Sequence, residues 1–147
     1  MSDVKGKVFI VQGPTASGKT TLAIQLAKKF QTEIISADSR QFYQEMSIGT
    51  AKPSSGELAQ VKHHFVHSHS IYNEVSASQY AQEAKPILDD LLARNQAAVI
   101  VGGSGMFIDA LTLGLDEIPH DKKVQEKWIA LHETEGLEFL QNELARL

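Results

Sequence analysis

A glycine-rich segment between an apolar run and an amphipathic run constrains the fold of this chain more than any other feature. Gly13–Thr20 reads GPTASGKT and fits the pattern G-x-x-x-x-G-K-[ST] at every specified position. Val8–Val11, just before it, is β-branched and aromatic, as in a buried strand. After it, Leu22, Leu26 and Phe30 recur at a spacing that places them on one face of a helix. Strand, turn and helix in this order predict a phosphate-binding P-loop.

Each residue type in this motif has a physical role. Glycines let consecutive N–H groups point at one anion, and the following helix adds its positive N-terminal end. Lys19 brings a positive charge to the phosphates, and the Thr20 hydroxyl is a candidate ligand for Mg²⁺. A plain turn between strand and helix is the alternative interpretation. The residues expected to bind a pyrophosphate or polyphosphate group are Gly13, Thr15, Ala16, Ser17, Gly18, Lys19 and Thr20.

A second strand, predicted at Glu33–Ser36, ends beside a cluster of polar side chains. Asp38 follows it, and Ser39, Arg40 and Gln41 come next. The carboxyl ends of parallel strands form the edge where ligands bind in open α/β sheets. Asp38 is therefore a candidate general base, or a group that binds a magnesium-bound water. The alternative is that Asp38 caps the N-terminus of a helix.

The wider pattern predicts an α/β protein whose core is a parallel sheet flanked by helices. Residues 7–36 contain strand, turn, helix and strand, so we expect the anion site to form locally. Ala97–Val101 is apolar throughout and predicts a central third strand. It ends without an acidic residue, which argues against an ATPase that performs mechanical work. The glycines of Gly102–Gly105 let a ligand approach the backbone near the Ser104 hydroxyl, or simply form a tight turn.

Helices and loops account for the rest of the chain. Residues 45–75 predict loop, with one short helix near Glu57–Val61. Another helix opens at Ser76, whose spacing to Gln79 fits a capping box, and Pro86 predicts a kink or a restart within it. Later helices are predicted over Met106–Leu113, Lys122–Glu135 and Leu137–Leu147, with Gly136 between the last two.

Composition limits the classes of function. The chain has 147 residues, 42% of them apolar and 22% charged, which suits one globular domain. Cysteine is absent, so thiolate chemistry and disulfides are excluded. The sequence shows no signal peptide and no apolar run of membrane-spanning length, so the default expectation is a soluble cytoplasmic protein. A metal site at His63, His64, His67 and His69 is supported by no cysteine and no nearby acid.

The charge balance bears on any nucleic-acid partner. Lys and Arg total 14 against 18 acidic residues, which gives a formal net charge of −4. Residues 116–147 hold 8 acidic and 4 basic residues, so the whole excess lies there. A dedicated nucleic-acid binder normally has a basic surplus. We therefore expect a nucleic-acid partner to be held by a local patch or by groups outside this chain.

Longer blocks of sequence resemble the tRNA dimethylallyltransferases. The blocks read GPTASGKT, ISADSRQ, MSIGTAKP, HH and VGGSG, and they occupy Gly13–Thr20, Ile35–Gln41, Met46–Pro53, His63–His64 and Val101–Gly105. Members of this family resemble P-loop kinases in fold, so the resemblance implies a P-loop NTPase-like parallel sheet flanked by helices. They transfer a dimethylallyl group from its pyrophosphate to the exocyclic amine of the adenosine 3′ to the anticodon in tRNA.

The resemblance also implies a role for each candidate site residue. Dimethylallyl pyrophosphate would be the donor, bound by Thr15–Thr20 together with Mg²⁺, and Lys19 and Thr20 would stabilise the leaving pyrophosphate. Asp38 would be catalytic, accepting the proton of the adenine amine. No membrane and no obligate protein partner is expected. The residues implied to contact the tRNA anticodon arm are Asp38, Ser39, Arg40, Gln41 and Ser104.

The same resemblance divides the chain into a P-loop catalytic core at residues 1–116 and the beginning of a helical tRNA-binding insert at 117–147. Family members are longer, so the chain is expected to be truncated, and its own transfer activity is open. Two other functions also remain open. One is a small-molecule kinase similar to shikimate kinase. The other is a chain that binds pyrophosphate or tRNA without turnover.

Overall fold

The computed structural model describes residues 6–115 and 121–147, which belong to two compact units, Met1–Leu115 and Asp116–Leu147. The first unit holds a four-stranded parallel sheet in the order β1-β4-β2-β3. Its strands are β1 (Lys7–Gln12), β2 (Ile34–Ser36), β3 (His63–His64) and β4 (Ala97–Gly102). Its helices are α1 (Lys19–Lys29), α2 (Ser55–Leu58), α3 (Ala77–Asn95) and α4 (Gly105–Thr112). The predicted α/β class is confirmed.

Strand β4 lies inside the sheet because its side chains are small or apolar along its whole length. Every residue of β4 is buried. It pairs with β1 from Lys7↔Ala97 to Gln12↔Gly102 and with β2 on its other side. A parallel strand covered on both faces has no polar side, which is the pattern predicted for this segment.

Alternate residues of the inner strands pack on opposite faces of the sheet. Ile34 and Val99 belong to the apolar cluster around Ala23, Ile24 and Ala27 of α1. Their neighbours in sequence, Ile35 and Ile100, belong to a larger cluster built on α3 and α4. The period of two along each strand produces this division, and burial of both apolar sets stabilises the helix–sheet–helix sandwich.

The strand order corrects two expectations. Residues 7–36 do not supply both neighbouring strands at the predicted anion site, because β4 lies between β1 and β2. A crossover connection can pass over a strand position, so hydrophobic periodicity does not reveal which strands become neighbours. The segment predicted as loop also contributes a fourth strand, since His63 and His64 pair with Ile34 and Ile35.

Short helix α2 begins earlier than predicted, at Ser55 rather than Glu57. The reason is a capping box at Ser54, whose N–H and hydroxyl donate to Glu57 Oε2 at 2.8 and 2.7 Å. In return, Glu57 N donates to Ser54 Oγ at 3.3 Å. Satisfying these donors starts the helix at the cap.

Helix α3 runs without a break from Ala77 to Asn95. The predicted restart at Pro86 is therefore wrong. Pro86 and Gln82 are both exposed, so the carbonyl that proline cannot bond lies on the solvent side of the helix. Of the predicted capping box, the bond from Gln79 N to Ser76 Oγ is present at 3.1 Å, while the Gln79 side chain donates to Glu83. Helix α4 starts and ends one residue before its prediction.

In the second unit, the described residues form one helical segment, α5 (Lys122–Leu144). Gly136 interrupts it with a φ of 78°, so the prediction of two helical stretches on either side of Gly136 is confirmed. Asp121 caps the first stretch, and its Oδ1 accepts from Lys123 N at 2.8 Å. No residue of α5 is buried. Among the described helices of both units, none is long and apolar enough to span a membrane.

Candidate active site

A cavity of about 300 Å³ lies beside the turn between β1 and α1, at the carboxyl ends of β2 and β4. This is the edge of a parallel sheet where ligands bind. The structure thus brings Asp38 and most of the predicted phosphate-binding turn to one cavity. The residues that line it are Thr15–Thr21, Ser36, Asp38, Gln41, Ala51, Pro53, Glu57, His63, Val101 and Gly102.

Two residues of the turn have left-handed backbone conformations. Ala16 and Gly18 have φ values of 63° and 82°, in the left-handed region. Residues in this region between right-handed neighbours turn successive N–H groups toward one point. Helix α1 then begins at Lys19 with no side-chain cap, so its first N–H groups remain available to a ligand. The strained conformation of Ala16 is the kind that persists where a loop serves a ligand.

Lys19 folds back over the turn. Its Nζ donates to the Pro14 carbonyl at 2.6 Å, and its side chain lines the cavity next to Thr20. An ammonium group bonds more strongly to an anionic phosphate oxygen than to a neutral carbonyl. Lys19 can therefore exchange Pro14 for a phosphate that enters the cavity.

Asp38 lies in a turn and does not cap a helix. Its Oδ1 accepts from Arg40 N at 3.2 Å, and its carbonyl accepts from Gln41 N at 2.9 Å. The helix N-cap alternative is therefore wrong. A Cβ built on Gly103 would lie 3.9 Å from Asp38 Oδ2 and 3.9 Å from the Gly13 carbonyl. The second carboxylate oxygen, Oδ2, thus lies near Gly103 of the loop after β4 and near Gly13 of the turn.

Gly102 allows the end of β2 to approach β4 closely. A Cβ at this position would lie 2.2 Å from the Ala37 carbonyl oxygen, which is impossible without a shift of the backbone. Ala37 N also donates to Val101 O at 2.7 Å. The sequence predicts that the glycines of Gly102–Gly105 let a ligand approach the backbone. At Gly102 the group that approaches is instead the Ala37 backbone. This contact fixes the point where the chain leaves the sheet toward Asp38.

The predicted tRNA contacts surround Asp38 in different ways. Ser39 N donates to Ser104 Oγ at 3.4 Å, which joins the loops after β2 and β4. The side chain of Gln41 accepts from Ser36 Oγ at 3.2 Å and donates to Ala51 O at 3.1 Å. Its amide therefore holds the loop of Ala51 against the cavity. The predicted site residues outside the cavity lining are Gly13, Ser39, Arg40 and Ser104.

Several lining residues were not assigned to the site from the sequence. The buried Tyr80 hydroxyl fixes the backbone of Ser36, because it donates to the Ser36 carbonyl at 3.0 Å. Burial raises the pKa of Tyr80, so this hydroxyl keeps its proton. Glu57 has its pKa lowered by hydrogen bonds from the Ser54 backbone and hydroxyl, so it is a carboxylate. His63 entered the sequence interpretation as a weakly supported metal ligand and as part of the HH block, with no role in this site, because a two-residue strand leaves no recognisable pattern.

The four histidines of the 63–69 segment bond to different partners. His63 Nδ1 lies 2.8 Å from Val61 O, His64 Nε2 lies 2.6 Å from Glu33 and His69 Nε2 lies 3.0 Å from Glu83. His67 Nδ1 lies 3.2 Å from Lys52 Nζ. Across residues 6–115 and 121–147, no group of three or more histidines and acids is arranged to hold a metal ion.

Comparison with known proteins identifies the family. The IPP transferase family model matches residues 41–147. A tRNA dimethylallyltransferase of Flavobacterium psychrophilum is 45% identical over 141 residues, covering 95% of this chain and 46% of that protein. The crystal structure of a tRNA isopentenylpyrophosphate transferase from Bacillus halodurans has a TM-score of 0.72 and 30% identity, covering 97% of this chain and 48% of that one.

A third similarity comes from a structural study of a eukaryotic dimethylallyltransferase acting on tRNA, with a TM-score of 0.67, 30% identity and coverage of 80% of this chain and 31% of that one. The chain thus spans about half the length of the curated relatives it matches. These neighbours confirm the predicted P-loop NTPase-like fold. Since the family model covers most of the chain, the resemblance found in its sequence blocks is also confirmed: the chain belongs to the IPP transferase family.

Proposed function

We propose that this chain forms the donor-binding and catalytic part of a tRNA dimethylallyltransferase. Such an enzyme transfers a dimethylallyl group from dimethylallyl pyrophosphate to the exocyclic amine of the adenosine 3′ to the anticodon. The observation that carries the proposal is the single cavity that joins the phosphate-binding turn to the Asp38 carboxylate. The names of the similar proteins supply the substrate class.

The phosphate-binding turn would hold the leaving group. The pyrophosphate of the donor sits against the N–H groups of Thr15–Thr20, and Lys19 Nζ leaves the Pro14 carbonyl to neutralise part of its charge. As the allylic carbon–oxygen bond breaks, its electron pair leaves with the pyrophosphate. The turn therefore stabilises negative charge where it develops in the transition state.

Asp38 would receive the proton that the amine loses. The adenine nitrogen forms the new bond to the allylic carbon, and its N–H proton passes to Oδ2 of Asp38. That oxygen lies near Gly13 and Gly103, so the acceptor and the leaving group lie on adjoining sides of one site. A general base positioned in this way contributes about 10²–10⁴ in rate.

The donor set of the cavity fits Mg²⁺. Mg²⁺ is usually held by one or two protein oxygens together with phosphate oxygens and water. Thr20 lines the cavity, and its hydroxyl can serve in this way, while Asp38 can bind a magnesium-bound water and keep its other oxygen for the proton. When bound, the ion would neutralise charge on the pyrophosphate.

The tRNA would approach from the side of Asp38. Ser39, Arg40, Gln41 and Ser104 are the proposed contacts, and Arg40 is exposed there. We further propose that residues 117–147 begin a helical insert that binds the anticodon arm.

Turnover with dimethylallyl pyrophosphate and unmodified tRNA tests the proposal. With a full-length version of the enzyme we expect isopentenyladenosine at the position 3′ to the anticodon. Binding of donor and of tRNA should be measured separately, so that a chain that binds without turnover is recognised. Phosphorylation of a small acceptor by ATP, without prenyl transfer, would instead support the kinase alternative.

A further inference from the structure

One polar atom beside the proposed donor site has no partner. Among the described residues, His63 Nε2 is the buried side-chain nitrogen or oxygen atom without a hydrogen bond. His63 lies in β3, next to Ile34 of β2, and lines the cavity that also contains Lys19 and Asp38. A buried polar group without a partner is costly in a folded protein and requires an explanation.

The hydrogen bond of the other ring nitrogen, Nδ1, fixes the tautomer of the imidazole. Nδ1 lies 2.8 Å from the Val61 carbonyl, which can only accept, so Nδ1 carries a proton. In the neutral ring, Nε2 is then an unprotonated acceptor. Burial lowers the pKa of His63, while the Val61 carbonyl and the Glu57 carboxylate oppose this change and His64 adds to it. Burial therefore favours the neutral ring in this structure.

Pyrophosphate oxygens at neutral pH are mainly hydrogen-bond acceptors. A neutral His63 has no donor to offer at Nε2, whereas an imidazolium has one. We infer that His63 is an additional anion-binding residue of this cavity, which takes up one proton on Nε2 when a pyrophosphate group binds and donates it to a phosphate oxygen. The inference rests on the proposed function, because it assumes that pyrophosphate occupies this cavity.

The surroundings suit a cation formed in this way. The proton comes from the solvent, and the Nδ1–H bond to Val61 is kept in both states. Glu57, on α2, lines the same cavity and supplies a nearby negative charge. The bound anion would supply further negative charge. Lys19 and Asp38 also line the cavity and have opposite charges.

Calorimetry with inorganic pyrophosphate and no divalent metal provides the test. Titrations in two buffers of different ionisation enthalpy give the number of protons taken up on binding. We expect His63→Gln to bind about tenfold or more weakly than the unaltered protein, as for loss of a charge-assisted hydrogen bond. The altered protein should also take up about one proton fewer. His67→Gln is the matched control, because His67 is exposed and does not line the cavity.

NMR of the unaltered protein gives a test that needs no substitution. Imidazole ¹⁵N shifts should show His63 as the Nδ1–H tautomer without ligand and as imidazolium at saturating pyrophosphate. A ring that stays neutral, or equal proton uptake by His63→Gln, overturns the inference. Lys19→Ala distinguishes failure of this inference from failure of the proposed function. If Lys19→Ala binds pyrophosphate as tightly as the unaltered protein, pyrophosphate does not occupy the cavity and the proposed function fails as well.

Discussion

Lys19 supplies the positive charge of the phosphate-binding turn. The other groups that this turn offers to an anion are neutral N–H and O–H donors. We predict that Lys19→Ala weakens pyrophosphate binding by about tenfold or more, because a charge-assisted hydrogen bond contributes roughly 1.5–3 kcal/mol. Calorimetry measures the change. Lys29→Ala, an exposed change at the other end of α1, is the control and should bind as the unaltered protein does. Unchanged affinity in Lys19→Ala would contradict the assignment of this turn.

Asp38 is predicted to act in the chemical step rather than in folding. Asp38→Asn retains an oxygen that can accept from Arg40 N, so the turn and donor binding should survive. Asparagine cannot take up a proton at neutral pH, so transfer should slow by about 10²–10⁴. Single-turnover transfer at saturating tRNA, with the substitution made in a full-length version of the enzyme, measures this loss. Asp109→Asn, on the exposed side of α4, should leave the rate unchanged, and normal transfer by Asp38→Asn would rule out the proposed base.

Glu33 connects three elements of the fold at the amino ends of the strands. Its carboxylate contacts Arg94 at the end of α3, His64 in β3 and Lys62 just before β3, at 2.9, 2.6 and 3.2 Å. Burial raises the pKa of Glu33, but hydrogen bonds from these three side chains outweigh it and lower the pKa to about 2. The network therefore joins the edge strand to the sheet and to α3.

We predict that Glu33→Gln lowers the free energy of unfolding by about 2 kcal/mol at pH 7. The folded-state pKa lies below the unfolded-state value, so this stability is present above about pH 4.5 and is lost as the pH falls toward 2. Urea denaturation at several pH values measures it, and the gap between the two proteins should shrink below pH 4.5. Asp89→Asn breaks an exposed pair with Lys85 and should cost at most about 0.5 kcal/mol. A gap that does not change with pH would exclude this role of Glu33.

The contact of β4 with the end of β2 gives a second prediction for the elements. Gly102→Ala would place Cβ 2.2 Å from the Ala37 carbonyl oxygen, so the two strands must separate. We expect about 1–3 kcal/mol of lost stability, as for an overpacked core, together with weaker donor binding. Gly56→Ala, in α2 with no atom within 4 Å of the new Cβ, should be neutral or slightly stabilising. Equal thermal stability of the two variants would show that the close approach is unnecessary.

For the whole molecule, the distribution of charge separates donor binding from tRNA binding. Residues 1–115 are balanced in charge, and the net charge of −4 comes from residues 116–147. Affinity for a nucleic acid depends strongly on Lys and Arg contacts to phosphates. We therefore predict that the 147-residue chain binds pyrophosphate but binds tRNA weakly and transfers the prenyl group poorly or not at all.

The Flavobacterium psychrophilum relative, of which the chain matches 46%, is the natural comparison. tRNA affinity at several salt concentrations and single-turnover transfer should be measured for both proteins. The relative should show the steeper salt dependence, because it would make more phosphate contacts. Equal tRNA affinity and equal transfer by the two proteins would contradict the prediction.

The sequence by itself determined the features that depend only on residues close together along the chain. The turn at Gly13–Thr20 is one example, since it is recognised from its glycines and from the helix that follows directly at Lys19. The apolar run of β4 is another, because a strand covered on both faces must be apolar throughout. The position of Asp38 at the end of β2 follows in the same way from the order of strand and loop.

Only the tertiary structure decided which distant segments meet. β4 lies between β1 and β2, and His63 comes to the cavity on a strand of two residues. The Gln41 amide bonds inside the protein to Ser36 and Ala51. The physical reason is that periodicity records which face of an element is buried but not which element covers it. Strand order and the contacts of single polar side chains depend on packing between residues far apart in sequence.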